Sequence, residues 1–289
     1  MNSVRVRSYA KINLTLDVTG VQGGYHMLDS VVASCDIYDL IVVKKRRDRL
    51  VSVEMHGQGS ESIPPERNNA VKAAERYAEA FGTCGADITV WKNIPVGAGL
   101  GGSSADVAGV LNGMAKLYGA GGYSQLKEIA DGLGSDCGYM LTGGFARLTG
   151  RGERVERLGS NLKLQIGLLL PKCGGVSTAE CYALFDKLGS RLAPSSANAA
   201  EAVVRENREE LGKSLSNFLI DPAICLNESI AGCIGELKAF DPLGVNMTGS
   251  GSGVYAIFEN EEFLRYAKSR YRGKNTFITT KTVLPFKEE

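Results

Sequence analysis

The segment from Pro95 to Ala108 carries the residue types that bind phosphate. It reads P-V-G-A-G-L-G-G-S-S-A-D-V-A, with glycine or serine at six of the eight positions from Gly97 to Ser104. Glycine lets a backbone turn tightly and approach a ligand closely, and serine hydroxyls can donate hydrogen bonds to phosphate oxygens or ligate a metal ion. The composition therefore predicts a site for a phosphate group.

The flanking residues place this segment at the start of a helix. Alternating apolar residues before it, Ile88 to Ile94, predict a strand, and apolar residues recur at helical spacing from Val107 to Leu117. The first N–H groups of a helix have no partner within it and carry a partial positive charge. A glycine-rich turn leading into a helix is thus an anion site, and it suits phosphate best.

Other phosphate-binding loops fit less well. Gly97, Gly99 and Gly102 satisfy the dinucleotide pattern G-x-G-x-x-G, but that pattern needs an acidic residue about 20 positions on, and residues 119–122 read Gly-Ala-Gly-Gly. A Walker loop needs G-K-[ST], and the segment contains no lysine. A glycine-rich helix entry without any ligand stays open as the plain alternative.

Composition argues against several other classes of protein. The 289 residues carry a formal net charge of +1, so we expect neither nucleic acid nor a membrane as a partner. No apolar run approaches the roughly 18 residues of a membrane span. The seven cysteines contain no C-x-x-C pair and only two histidines occur, so zinc is poorly supported. Scattered single cysteines are typical of a reducing compartment, and we expect a cytoplasmic protein.

The remaining pattern predicts strands and helices without an evident linker. Two strands are expected to meet at a bend around Tyr9–Lys11, residues 44–48 to form a hairpin tip, and Ser124 to cap a helix. Helices are predicted over 71–81, 107–117, 126–133, 178–188, 197–211, 224–237 and 261–271. Strands are predicted over 146–149, 155–158, 164–170, 254–258 and 276–283. These elements define only a mixed α/β or α+β chain.

Several motifs, in chain order, resemble those of the GHMP kinases, the superfamily of galactokinase and of homoserine, mevalonate and phosphomevalonate kinases. P-x-x-x-G-L-G-x-S-S at 95–104 resembles its ATP loop. A-K-I-N-L at 10–14 and G-Y-H-x-L at 24–28 are similar to the family that phosphorylates 4-diphosphocytidyl-2-C-methyl-D-erythritol. Further resemblances to that family lie at 134–136 (G-[AS]-D), 150–153 (G-x-G-E), 176–182 (V-S-T-x-x-A-Y) and 247–251 (M-S-G-S-G).

The chain also departs from that family's motifs. Its ATP loop is one residue shorter than the usual G-L-[GA]-G-G-S-S-D-A, and in this it resembles mevalonate-type kinases. Cys137-Gly138 stand where V-P usually follows the catalytic aspartate, and Gln22-Gly23 stand where P-D usually precedes G-Y-H.

The resemblance implies a phosphoryl-transfer site with ATP and Mg²⁺ as cofactors. Asp136 is expected to face the acceptor hydroxyl, with Lys11 beside it to keep the carboxylate ionised and to neutralise charge in the transition state. Ser104 is a candidate metal ligand, and no other is assigned. The expected ATP-binding residues are Pro95, Val96, Gly97, Ala98, Gly99, Leu100, Gly101, Gly102, Ser103 and Ser104.

Five residues are expected to bind the small-molecule substrate: Asn13, Tyr25, His26, Thr178 and Tyr182. Tyr25 and Tyr182 are expected to stack on the cytosine, and His26 to contact its edge, because aromatic faces stack on bases. The plainer interpretation is that both tyrosines pack in the core, His26 is satisfied within a turn, and Asn13 bonds a neighbouring turn.

The fold implied is α+β, the two-domain GHMP kinase fold. An ATP-binding half like ribosomal protein S5 domain 2 is expected over residues 1–159, and a ferredoxin-like half over residues 160–289. The expected function is ATP-dependent phosphorylation of the 2-hydroxyl of the cytidylyl substrate, by a monomer or homodimer. A mevalonate or homoserine kinase, or a non-catalytic nucleotide-binding paralogue, stays open as an alternative.

Overall fold

The computed structural model describes residues 2–57, 59–60, 68–172 and 174–284. Its strands are β1 (Ser3–Asn13), β2 (Thr15–Gln22), β3 (Tyr25–Lys45), β4 (Ser52–His56), β5 (Ala86–Trp91), β6 (Phe145–Gly150), β7 (Arg154–Arg157), β8 (Gln165–Leu170), β9 (Ser216–Asn217), β10 (Gly244–Met247), β11 (Val254–Phe258) and β12 (Thr276–Lys281). Its helices are α1 (Asn69–Phe81), α2 (Gly102–Tyr118), α3 (Tyr123–Asp131), α4 (Cys137–Met140), α5 (Thr178–Leu188), α6 (Ser196–Val204), α7 (Arg208–Lys213), α8 (Ile220–Leu226), α9 (Ser229–Lys238) and α10 (Glu261–Arg270).

The chain divides into two compact units that interleave in sequence. Unit 1 comprises the residues up to Ala10 together with Ile37–Pro95 and Gly101–Gly143. Unit 2 comprises Lys11–Asp36, Val96–Leu100 and the chain from Gly144 onward. The predicted domain boundary between residues 159 and 160 stays a prediction.

Unit 1 packs helix α2 closely on a small sheet. The parallel strands β4 and β5 are followed by β3, which is antiparallel to β5. The helix can approach because two of its sheet-facing residues are glycines. A Cβ atom on Gly109 would lie 2.1 Å from Ile41 Cδ1, and one on Gly113 would lie 2.5 Å from Val43 Cγ2. This packing fixes the direction of α2, whose first turn belongs to the phosphate segment.

Two predictions for unit 1 are wrong. Residues 44–48 do not form a hairpin tip, because β5 lies between β3 and β4. Arg46 there bonds Asp48 and Asp87, both at 2.6 Å, so part of the basic run is held by local carboxylates. Helix α3 begins at Tyr123 rather than after a Ser124 cap, since Gly122 is its N-cap residue and Gln125 bonds back to it.

Unit 2 contains two sheets. In the first, β9, β2, β3 and β6 lie side by side, followed by β7. The β2–β3 hairpin closes through Gly23 and Gly24, with φ of 58° and 80°, as a two-residue turn requires. The second sheet is antiparallel throughout, in the order β10-β11-β8-β12. The buried strand predicted over 164–170 is confirmed as β8, which holds a central place in this sheet.

Three predicted elements are divided differently in the structure. Strand β1 continues through Tyr9–Lys11 without a bend: residues 10–13 are all buried, so the alternation of a half-exposed strand stops although the backbone stays extended. The helix predicted over 197–211 is interrupted at Glu206, whose φ is 55°. The helix predicted over 224–237 is two helices, separated by the extended residue Asn227. No helix among the described residues is long and apolar enough to cross a membrane.

Candidate active site

The phosphate segment has an alternating backbone conformation. Gly97, Gly99 and Gly101 adopt positive φ of 72°, 73° and 74°, whereas the intervening Ala98 and Leu100 do not. Alternation of this kind makes the concave backbone nests that bind anions, because successive N–H groups converge. Only glycine adopts such a conformation without strain, which explains its spacing at every second position.

Within unit 2, residues 96–100 are bonded to a second glycine-serine turn that follows β10. Thr248 Oγ1 donates to the carbonyl oxygen of Gly99 at 3.0 Å, and the Gly253 N–H donates to the carbonyl of Ala98 at 3.2 Å. A Cβ atom on Gly99 would lie 2.1 Å from the carbonyl oxygen of Thr248. Gly99 thus has a close backbone neighbour that leaves no room for a side chain at this position.

Gly99→Ala is expected to lower kcat/KM for ATP, the phosphate donor that the resemblance implies, by about a hundredfold, since a displacement of about 1 Å in a positioning element costs that much. Gly82→Ala is the matched control, because Gly82 also has a positive φ of 62° but a Cβ atom there meets nothing within 4 Å. Steady-state kinetics of both variants separate the clash from the conformational strain. If Gly82→Ala lowered kcat/KM for ATP as much as Gly99→Ala, the result would contradict a positioning role for residues 96–100.

Within unit 1, helix α2 begins without a side-chain cap. Its N-cap residue is Gly101, and no side chain bonds the first turn as a cap. The uncapped N–H groups of the first turn suit an anion. Ser104 in this turn and the thiol of Cys137 both lie beside Gly134, and burial raises the pKa of that thiol to about 11, so Cys137 stays protonated.

The turn that carries Asp136 therefore lies against the start of α2. Asp136 is the N-cap residue of the short helix α4, but its carboxylate makes no capping hydrogen bond. It is partly exposed, in contrast to the buried residues of α4 that follow it. The Asp136 side chain therefore does not act as the cap of α4.

A buried ion triad that sequence analysis missed joins the two flanks of the phosphate segment in unit 1. Lys92, just after β5, places Nζ 2.5 Å from Asp39 Oδ2 and 2.7 Å from Asp106 Oδ2. The three side chains are at most 5% exposed. Asp39 Oδ1 also accepts from the backbone N–H groups of Asn93 and Ile94, at 2.6 and 2.8 Å. The triad thereby fixes the end of β5 to helix α2.

The triad is electrostatically unbalanced. Burial raises the pKa of Asp106, although the charge of Lys92 opposes the shift. Burial would lower the pKa of Lys92, but the two carboxylates reverse this and raise it. Asp106 Oδ1 is buried without a hydrogen-bond partner among the residues that the structure describes. Lys92 is therefore the cation on which both carboxylates depend.

Asp106 also bears on how the loop compares with the family motif. Read from Gly99 without a gap, the aspartate of G-L-[GA]-G-G-S-S-D-A falls on Asp106. In this reading the loop keeps the usual length and differs by substitution, with Ser103 for a glycine, Ala105 for a serine and Val107 for an alanine.

Lys11 in unit 2 is buried and closely held. Its Nζ donates to Asn13 Oδ1 at 2.5 Å, and its backbone N–H donates to the carbonyl of Leu100 at 3.0 Å. The second bond links β1 to the phosphate segment. Asp136 belongs to unit 1, and its predicted pairing with Lys11 stays a prediction.

Asn13 connects Lys11 to the second glycine-serine turn. Its Oδ1 also accepts from the Gly249 N–H at 3.0 Å, and its Nδ2 donates to Ser30 Oγ at 2.9 Å. Its backbone N–H donates to Thr248 Oγ1 at 3.1 Å. These bonds give Asn13 a structural role in holding the turn, and its contact with substrate stays a prediction.

The structure brings together some of the predicted substrate residues. The His26 ring stacks on Tyr182 with centroids 4.5 Å apart, and His26 Nε2 lies 2.7 Å from Asp186 Oδ1. Thr178 Oγ1 lies 2.8 Å from Ser250 Oγ, which links α5 to the second glycine-serine turn. Tyr25 is 57% exposed and has the guanidinium of Arg151 over its ring.

Comparison with known proteins identifies the class. Residues 68–146 match the family model "GHMP kinases N terminal domain", and residues 199–272 match "GHMP kinases C terminal". The chain resembles the crystal structure of a 4-(cytidine 5'-diphospho)-2C-methyl-D-erythritol kinase with a TM-score of 0.80, at 28% identity over 96% of this chain and 99% of that one. A homoserine kinase from Cytophaga hutchinsonii shares the fold, with a TM-score of 0.73 at 18% identity over 98% and 95% of the two chains. The predicted α+β GHMP kinase fold, with its S5 domain 2-like and ferredoxin-like halves, is confirmed.

Curated relatives narrow the class further. The 4-diphosphocytidyl-2-C-methyl-D-erythritol kinase of Clostridium beijerinckii is 33% identical over 96% of this chain and 99% of its own length. That of Carboxydothermus hydrogenoformans is 38% identical over 91% of this chain and 90% of its own length. The chain therefore belongs to the 4-diphosphocytidyl-2-C-methyl-D-erythritol kinase family of the GHMP kinases.

Proposed function

We propose that this chain is a phosphotransferase that moves the γ-phosphoryl group of ATP to the 2-hydroxyl of 4-diphosphocytidyl-2-C-methyl-D-erythritol, in non-mevalonate isoprenoid biosynthesis. The observation that carries this proposal is the likeness, over nearly the whole chain, to relatives that bear this kinase's name. The A-K-I-N-L and G-Y-H-x-L segments that first suggested this substrate lie at Lys11 and Tyr25.

ATP, the phosphate donor of GHMP kinases, fits the phosphate segment. The alternating glycine conformations and the uncapped start of α2 supply backbone N–H groups for its phosphate oxygens. The closeness of Gly99 to Thr248 explains why the backbone itself, and no side chain, is presented there. All ten residues from Pro95 to Ser104 are assigned to this site.

Mg²⁺ fits the site as an ion that arrives with the nucleotide. Among the described residues, no group of three or more His, Cys, Asp or Glu side chains could hold a metal by itself. Mg²⁺ in kinases is usually held by phosphate oxygens, waters and one or two protein oxygens, so a full protein cage is not needed. Ser104 is the candidate protein ligand. The bound ion would neutralise charge on the phosphates.

Asp136 and Lys11 are assigned as the catalytic residues. As the 2-hydroxyl oxygen bonds the γ-phosphorus, its proton passes to the Asp136 carboxylate and ADP leaves with the electrons of the broken P–O bond. Lys11 supplies positive charge that stabilises the phosphoryl group during its transfer. The hydrogen bond from Lys11 to Asn13 orients the ammonium group and restricts the Lys11 side chain to one conformation before substrate binds.

Tyr25, His26 and Tyr182 are assigned to the cytosine, with Asn13 and Thr178 as further substrate contacts. Tyr25→Ala is expected to raise KM for the cytidylyl substrate by about 5- to 150-fold, because stacking on a base contributes about 1–3 kcal/mol. KM for ATP should stay unchanged. Tyr266→Ala is the matched control, since Tyr266 is similarly exposed at 56%. Equal increases for both substrates would count against the cytosine assignment.

The function is tested by coupled ADP release from the pure protein with the cytidylyl substrate, mevalonate and homoserine in parallel. We expect turnover with the first alone, since the other two have no base to stack. Turnover with mevalonate or homoserine would favour another GHMP kinase. Turnover with none of the three would favour a non-catalytic nucleotide-binding paralogue.

We also propose that the protein is cytoplasmic, that its sequence divides into two domains between residues 159 and 160, and that it is a monomer or homodimer. Every cysteine in the described part of the chain is a free thiol, which suits a reducing compartment. The N-terminal family match ends at residue 146 and the C-terminal match begins at residue 199, so the two lie on either side of the proposed boundary. Light scattering of the purified protein gives the oligomeric state.

A further inference from the structure

An arginine lies over the exposed tyrosine of the G-Y-H-x-L segment. The Arg151 guanidinium carbon is 4.7 Å from the centroid of the Tyr25 ring. A cation at this distance is attracted by the electron-rich face of an aromatic ring. Because Tyr25 is still 57% exposed, the arginine covers only part of the ring and leaves a surface on which another planar group can stack.

The two residues meet because of strand register within unit 2. Strand β3 is antiparallel to β6, with Leu28 opposite Gly150. Tyr25 at the start of β3 therefore lies level with the turn that follows β6. This turn reverses through glycines 150 and 152, with φ of 72° and 110°, and Glu153 accepts from the Arg151 N–H at 2.6 Å. The backbone that carries Arg151 is thus held in place while its side chain reaches the ring.

The turn between β2 and β3 and the turn between β6 and β7 also line a cavity of about 540 Å³, which is the size of a small-molecule site. Tyr25, Met27, Arg151 and Arg154 are among its lining residues. An aromatic ring next to two guanidinium groups suits a ligand that has both a planar base and anionic phosphates. The cytidylyl substrate has both.

We propose that Arg151 is a positioning and specificity-determining residue that holds the Tyr25 ring for the pyrimidine. The guanidinium occupies one face of the ring and leaves the other for the base, so that the tyrosine loses little freedom when substrate binds. This inference rests on the proposed function. Arg151 stands at the open position of the G-x-G-E motif, so the motif itself assigns it no role.

The test is a double-mutant cycle read out as KM for each substrate. Arg151→Ala is expected to raise KM for the cytidylyl substrate about two- to fivefold, the range of an exposed cation–π contact. kcat and KM for ATP should not change. In a Tyr25→Ala background the same substitution should have no further effect, because its action passes through the ring. Arg151→Lys, which keeps the charge, should recover part of the loss.

Arg270→Ala is the matched control, since Arg270 lies over the Tyr266 ring at 5.7 Å on the exposed face of α10. It should change neither KM. An unchanged KM for the cytidylyl substrate in Arg151→Ala overturns the proposal. An equal increase in this KM with and without Tyr25 also overturns it, because Arg151 would then bind the phosphates directly. Urea unfolding of each variant excludes a loss of folding. Wild-type turnover of the cytidylyl substrate is scored separately, so a failure of the proposed function is recognised by itself.

Discussion

Asp136→Asn is expected to lower kcat by about a hundred- to ten-thousandfold, the usual contribution of a general base. The amide keeps the size and shape of the carboxylate but accepts no proton and carries no charge. Because the assigned phosphate contacts come from backbone N–H groups elsewhere in the chain, affinity for ATP should stay nearly intact. Single-turnover kinetics with saturating ATP measure the first quantity, and equilibrium titration with a non-hydrolysable ATP analogue measures the second.

Asp131→Asn is the matched control for this substitution. Asp131 is also an aspartate near α4, but it bonds Lys127 at 2.5 Å on the partly exposed end of α3. It should retain nearly full turnover. Near-normal kcat in Asp136→Asn would remove Asp136 from the reaction, and a parallel loss of ATP binding would mean that the residue holds the structure instead.

Lys92→Met is expected to destabilise the protein by about 3–5 kcal/mol, which is the cost of removing one partner from a buried ion pair. Methionine fills a similar volume, so the loss reflects charge rather than a cavity. Asp39 and Asp106 would be left side by side, with side chains no more than 5% exposed and no cation between them. Urea denaturation at neutral pH measures the change in the free energy of unfolding.

Two comparisons make this result specific to the triad. Lys127→Met removes a partly exposed lysine–aspartate pair and should cost less than about 1 kcal/mol. Adding Asp106→Asn to Lys92→Met should restore part of the stability, because a neutral amide replaces one of the two carboxyl groups that are left without a cation. A cost for Lys92→Met no greater than that for Lys127→Met would show that the triad contributes little.

Local chemistry explains what could be predicted from the sequence. The phosphate segment was predictable because glycine spacing reflects backbone conformation directly: three alternate glycines adopt positive φ. The buried strand over 164–170 was predictable because a short, mainly apolar run bounded by Pro171 is typical of a buried strand. The family motifs then suggested Lys11 and Asp136, which no property of an isolated lysine or aspartate would distinguish.

Contacts between distant parts of the chain explain what was missed. Lys92 is 53 residues from Asp39 and 14 from Asp106, so no local pattern links them. The one available signal was a lysine at the end of an apolar strand, next to a loop followed by an aspartate. Asn13 likewise bonds Gly249, 236 residues away. The hairpin tip at 44–48 was predicted wrongly because strand order is decided by β5, which comes much later in the sequence.

The most direct test of the proposed function is to locate the transferred phosphate. The pure protein is incubated with ATP, Mg²⁺ and 4-diphosphocytidyl-2-C-methyl-D-erythritol, and the products are followed by phosphorus NMR. We predict one new phosphomonoester signal, coupled to the 2-position of the erythritol, with an intact cytidylyl diphosphate and one ADP for each product formed. ADP formed only with inorganic phosphate, or a phosphomonoester at another hydroxyl, would contradict the proposed function.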